Sequence, residues 1–372
     1  MQLRNHPERL FILIVGGLWL LLIGTDRLAP VVLPTENLYF RAWEYVRGQH
    51  GLPRRNLSFT VHNAHGDLSN MMNVSTYKVP RDITFTVDSN GMRNSETTRE
   101  DATVLIGQSF MTGAGNSDEH APGTVLAREL KTPIYVYAPG NMSQLLRAIP
   151  DEVPATVIWG VVERNLTGSN AEIQTLLGME CPSESETKTS KQKMLIIIKK
   201  ILLEPTTYAR TSVVKKLGQK IYNETYFSVA KKPASPHVEL AASPSKFIFL
   251  KKGIRISHED SKQRNLDDVQ KAITKTADCL KLHNIELLFI PIPDKVHVYN
   301  HLLPEELQAN YALDPLQELT QQLRRKGIRT VDILTPFMTH VSENSELLYW
   351  PDDTHWGPLG IEKAMTEAAK RF

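Results

Sequence analysis

The chain has 372 residues, 41% hydrophobic and 23% charged, with a formal net charge of +2. That length supports a substantial core, in one large domain with additions or in two domains. The near-neutral balance excludes a dedicated nucleic-acid binder, whose electrostatic footprint is a strongly basic surface.

Arg4 and Arg9 precede "LFILIVGGLWLLLIG", Leu10 to Gly24, a run without charge. Its length falls between a signal-peptide core and a full span, and no small-x-small cleavage site follows in "TDRLAP". Residues 1–30 are therefore expected to be an uncleaved membrane anchor, with a cleaved signal peptide and a buried core helix as the alternatives, and the rest of the chain is expected outside the cytoplasm. Residues 31–98 mix short apolar pieces with Pro, Gly and Asn and read as a stalk and lead-in. Within them "ITFTVDSNGMRN", 83–94, predicts a strand followed by an Asn-Gly turn.

From residue 99 the pattern is α/β. Runs rich in branched and aromatic residues occur at 103–107, 133–138, 155–162, 285–292 and 328–333, with helical patterns at 123–130, 266–283, 313–327 and 359–372. Strands alternating with helices predict a parallel sheet covered on both faces, a three-layer flavodoxin-like sandwich. The lysine-rich stretch from about 180 to 262 breaks the rhythm and reads as a mainly helical insertion. Its lysines fit either a solvated face or contact with an anionic polymer or lipid headgroups. Cys181 and Cys279 make no CxxC, zinc set or disulfide framework. A single bridge and two free thiols both stay open.

Two stretches carry chemistry. "LYWPDDTHWGPLG", 348–360, places Asp353 two residues before His355, so the carboxylate can fix the imidazole tautomer within one loop. "TVLIGQSFMTGAG", 103–115, puts Ser109 at the carboxyl end of a strand, where α/β sheets bind ligands. A serine hydroxyl is a weak nucleophile until a positioned base removes its proton, so Ser109, His355 and Asp353 form a candidate triad. The Ser109 N–H and Gly140 are candidate oxyanion donors, with Asn141 or Asn165 as a side-chain donor. Arg164 is placed either to bind an acidic sugar or to pair with Glu163 or another carboxylate. Lys295 and Tyr299 are candidates for substrate contact or for a structural role. No metal site is expected: no HExxH occurs, and His283, His297 and His301 read as surface or strand-end residues. No dinucleotide fingerprint or phosphate loop occurs either, so no cofactor is expected.

"IGQSF", "VVERNL", "IPIPDKVHVY" and "DDTHW" together resemble the SGNH-hydrolase superfamily and, within it, the AlgX/AlgJ-like polysaccharide O-acetyltransferases with an Asp-x-His-Trp signature. The likeness covers roughly residues 83–180 and 265–372. It implies an SGNH-like catalytic domain over 99–372, with Ser109 as nucleophile, His355 as base and Asp353 as its orienter. It also implies a polysaccharide acceptor and a multi-spanning membrane acyltransferase that supplies acetyl groups from across the inner membrane, with catalysis in the periplasm or outside the cell. Three departures stand out: Gln108 replaces the commoner acid, the serine block precedes the histidine block, and Asn165 stands where tyrosine is common. A carbohydrate esterase or a non-catalytic polysaccharide-biosynthesis subunit are the alternatives within the same likeness.

Overall fold

Along the chain, β1 (Leu57–Ala64) and β2 (Arg81–Val87) pair antiparallel ahead of β3 (Thr103–Gly107), β4 (Ile134–Tyr137) and β5 (Thr156–Val162). A short antiparallel hairpin, β6 (Val238–Leu240) with β7 (Ile248–Leu250), follows, then β8 (Glu286–Ile292) and β9 (Arg329–Thr330). The computed structural model describes residues 7–33, 39, 41–47, 54–94, 103–147, 155–181, 212–311 and 314–372.

The five expected strands form one parallel sheet in the order β4-β3-β5-β8-β9. Alternation along each strand feeds two cores. Leu105, Ile158, Leu288 and Ile290 face helices Pro122–Leu130 and Pro358–Ala369. Ile106, Val157, Trp159 and Phe289 face helices Ala171–Gly178, Leu266–Lys281 and Pro315–Arg325. The result is the expected α/β three-layer sandwich of SGNH-like type. The last strand is shorter than its apolar run: the Asp332 carboxylate accepts the Thr335 N–H at 3.1 Å and starts helix Leu334–Glu343 in place of further ladder.

Cys181 and Cys279 are bridged, joining the end of one face's helix Ala171–Gly178 to Leu266–Lys281. Helix Pro7–Val32 contains a stretch, Pro7–Ala29, long and apolar enough to cross a bilayer, and its apolar side chains from Leu10 to Ile23 are largely exposed. The described part of the insertion holds helix Val213–Ala230, the β6–β7 hairpin and helix Lys251–Ser257. The apolar run "MLIIIKKILLEP" of that insertion lies outside the described residues.

The stretch expected to be stalk and lead-in does more than connect. Leu68, Met72 and Val74 bury themselves against Val238 and Ile248 of the hairpin, and Phe85 and Val87 of β2 pack with Val46. Arg93 is buried and donates to the carbonyls of Thr112, Gly113, Asn116 and Thr84, with an ion pair to Asp118. A guanidinium has five N–H donors in a fixed fork, which lets this one residue pin the loop that follows Ser109.

Candidate active site

β3 lies between β4 and β5, where the strand order reverses, so the crevice of a doubly wound sheet opens at its carboxyl end. The strand ends in Gly107 for a steric reason. A Cβ there would come within 2.6 Å of both the Gly160 carbonyl oxygen and Met111 Cγ. Gln108 remains extended, and Ser109 opens the single helical turn Ser109–Thr112. Its N–H therefore belongs to the first turn, where backbone donors have no intrahelical acceptor.

The second half of the site is the loop between Leu348 and Gly357. It is closed by the Gly357 N–H donating to the Leu348 carbonyl at 2.8 Å and by a bridge between Tyr349 and Trp356. Lys295 holds it from beneath: its buried Nζ lies 2.8–3.0 Å from the carbonyl oxygens of Ile248, Trp350, Pro351 and Asp353. Burial pushes this ammonium down to about 7 despite the pull of Asp353 and Asp352. With its donors spent on backbone, Lys295 shapes the loop and does not face a substrate. Tyr299 acts alike, its hydroxyl accepting the Leu348 N–H at 2.9 Å.

These two halves meet in one hydrogen-bonded chain. Ser109 Oγ lies 2.8 Å from His355 Nε2, and His355 Nδ1 lies 2.6 Å from Asp353 Oδ1. The His355 ring packs 4.8 Å from that of Phe110. Behind it, Arg81 of β2 spans two carboxylates, Asp353 Oδ2 at 2.9 Å and Asp352 Oδ1 at 2.8 Å. Asp352 Oδ2 in turn accepts from Ser69 Oγ, Val79 N–H and Gly66 N–H. Gly66 is required by closeness, since a Cβ would lie 2.0 Å from the Asp352 carbonyl oxygen. Burial opposes the charged form of Asp353, but the His355 ring, its hydrogen bond and Arg81 together hold the carboxyl well below the usual range.

A further carboxyl sits beside the chain. Asp67 accepts from Thr354 N–H at 2.8 Å and Thr354 Oγ at 2.7 Å, pairs with Arg41 at 3.1 Å, and lies 4.0 Å from His355 Nδ1. Burial and the nearby Asp353 raise its pKa. Asp67, Asp353 and His355 offer three ligand atoms within 4.8 Å of one another. Two guanidinium groups already meet this cluster's negative charge, so its donors serve each other. Neither Arg81 nor Asp67 was legible from motif spacing, because both come from the stretch read as lead-in.

The other expected residues divide. The Gly140 N–H donates to the Gly107 carbonyl at 2.8 Å, which commits it to the backbone rather than to an oxyanion. Asn141 stands at the N-cap position of helix Met142–Leu146 without a side-chain capping bond, and lines a small cavity with Gln108 and Asn165. Asn165 Oδ1 accepts from Lys252 Nζ at 3.3 Å. Arg164 pairs with Asp294 at 2.9 Å rather than with Glu163. Glu163 instead is buried between Arg264 at 3.0 Å and His297 at 2.9 Å, and His297 also reaches Asp314 at 3.0 Å. His297 is thus an internal ion-pair partner, not the surface or strand-end residue its sequence suggests. Despite burial, its two carboxylates raise it to about 10, and Glu163 is drawn down to about 2 by His297 and Arg264.

Residues 246–372 match the family described as SGNH hydrolase-like domain, acetyltransferase AlgX. Over these residues the chain is similar to the SGNH-like domains of the AlgX family. The matched AlgX-type segment carries Lys295, Asp353 and His355, whereas Ser109 and Arg81 reach the site from outside it. No curated protein and no solved structure gives a significant match to the chain.

Proposed function

We propose that this protein is a membrane-anchored, extracytoplasmic O-acetyltransferase that moves an acetyl group through a seryl acyl-enzyme to hydroxyls of a cell-surface or secreted polysaccharide. The observation that carries the reading is the unbroken chain Ser109–His355–Asp353 at 2.8 and 2.6 Å. His355 Nε2 takes the Ser109 proton as Oγ attacks the acetyl carbonyl, and the imidazolium returns that proton to the departing donor group. The oxyanion formed in between faces the Ser109 N–H, with Asn141 or Asn165 as a second donor. A sugar hydroxyl then attacks the acetyl-serine, gives its proton to His355, and leaves as the acetyl ester while Ser109 is regenerated. Asp353 remains ionised throughout, holding the His355 Nδ1 proton. Arg164, fixed by Asp294 beside the Phe110 ring, borders this face of the site.

Two features support the compartment. The apolar helix Pro7–Val32 supplies the anchor of a single-pass inner-membrane protein, and the Cys181–Cys279 bridge suits an oxidising space. An acetyl donor outside the cytoplasm calls for a multi-spanning acyltransferase as partner. The test incubates the full-length protein in detergent with an activated acetyl ester, with and without oligosaccharides. Acetylated sugar is the expected product, lost in Ser109→Ala. Acetate alone with every acceptor would leave an esterase.

A further inference from the structure

Helix Val213–Ala230 of the insertion has two unlike faces. One packs on the segment that carries Asp67: Asn223 donates to the Met72 carbonyl at 2.8 Å, Glu224 accepts the Ser75 N–H at 2.7 Å, and Phe227 meets Tyr77 edge-on. On the other, Ile221, Tyr222, Tyr226 and Val229 are 40–81% exposed. At 100° per residue, Ile221, Tyr222 and Val229 fall on one arc with no charged residue between them, and Leu217 marks its edge beside the cavity that holds Asp353 and His355. Around it stand exposed lysines, Lys215 and Lys220 in the first turns and Lys231 and Lys232 beyond the end.

We infer that this face of helix Val213–Ala230 lies on the phospholipid surface as a second membrane contact beside the N-terminal helix. Three observations favour lipid as the occupant. The helix starts against the apolar N-terminal helix, the Val214 N–H donating at 3.1 Å to Asp26 near the end of that helix's apolar stretch. A basic, amphipathic helix with an apolar arc is the composition that binds in the interfacial plane and is attracted to anionic headgroups. Tyr222 and Tyr226, stacked 6.0 Å apart, supply the amphipathic rings that favour the headgroup level. The consequence is positional. The start of this helix borders the same cavity as Asp353 and His355, and its other side packs on the segment whose Asp67 bonds Thr354, so the site would work close to the bilayer, where a membrane partner presents acetyl groups.

The inference rests on the anchored reading, and one experiment separates the two. Full-length Ile221→Cys and Val229→Cys proteins, nitroxide-labelled and reconstituted in phosphatidylcholine vesicles with and without phosphatidylglycerol, are compared with Ser342→Cys, an exposed position on another helix. The labels at 221 and 229 are expected to be several-fold more accessible to oxygen than to a water-soluble nickel complex, with the reverse at 342, and more so with phosphatidylglycerol. Equal nickel access at all three positions overturns the lipid contact while leaving the anchor intact. Exclusion of both reagents at 221 and 229 also overturns it, and points to a protein cover such as a second copy. A chain that fails to float with vesicles at all overturns the anchor itself. Unchanged accessibility on adding phosphatidylglycerol removes the lysines from the contact.

Discussion

Replacing Arg81 by Met tests how the site is held together. The side chain is only 8% exposed, and its two terminal nitrogens each meet a different buried carboxylate, Asp352 and Asp353. Met fills much of the volume but removes the charge and the fork. Asp352 keeps three donors on its other oxygen, from Gly66, Ser69 and Val79. Asp353 keeps His355 and a hydrogen bond with the Asp67 carboxyl but no other cation in direct contact, so the uncompensated charge falls mainly there. Removing one partner of a buried ion pair costs about 3–5 kcal/mol, which is a fifth or more of the roughly 5–15 kcal/mol that stabilises a typical domain. Because the folded-state pKa of Asp353 is depressed, its contribution is present above the usual carboxylate range and lost as pH falls. The penalty should therefore be largest at neutral pH and narrow in acid. Urea unfolding of wild type and variant in the same detergent, at pH 7 and at mildly acidic pH, measures this, with ester turnover read in parallel. Arg81→Lys should recover part of the loss, since one ammonium cannot bridge both carboxylates as a fork does. A midpoint shift worth less than about 0.5 kcal/mol with unchanged turnover would refute the claim that Arg81 holds Asp353 in place.

Asp353→Asn should preserve the fold and lower kcat by roughly 10⁴-fold, because the amide leaves the imidazole in the wrong tautomer; stopped-time ester hydrolysis is the measurement. Glu163→Gln should cost about 3 kcal/mol, the equivalent of drawing Glu163 down to about 2. Glu163 contributes above its ordinary 4.5 and loses that as pH falls towards 2, whereas His297 contributes below its ordinary 6.5 and loses that as pH rises through 10. The gap between wild type and variant in denaturant titrations should accordingly be widest between pH 4.5 and 6.5. Cys279→Ser should lower stability by about 2–5 kcal/mol, and a thermal scan unaffected by reductant would argue against the bridge.

The β-strand runs, their alternation with helices and the Asp-x-His-Trp loop were all readable in one dimension. Each rests on local periodicity or on residues two apart in one loop. Ser109, at a strand end just past Gly107, was legible for the same reason. Arg81, Asp67 and Lys295 were not assignable, because a buried charge is explained by partners tens to hundreds of residues away, and sequence spacing carries no such distance. The expectation that Gly140 donates to an oxyanion ignored the Gly107 carbonyl, which only the parallel pairing of β3 and β4 brings within reach. Arg164 and His297 changed meaning similarly, once burial forced each to find a carboxylate.

By itself, then, the sequence determined the layered α/β class, the apolar N-terminal helix and the three side chains with the chemistry of an acyl-transfer triad, because pattern and reactivity are properties of residue type. Whether the hydroxyl and the imidazole, 246 positions apart, stand 2.8 Å from each other was decided by tertiary structure alone. The sheet order carries Ser109 to the crevice, Lys295 and Tyr299 shape the opposing loop, and Arg81 from the lead-in stretch balances the carboxylate behind it.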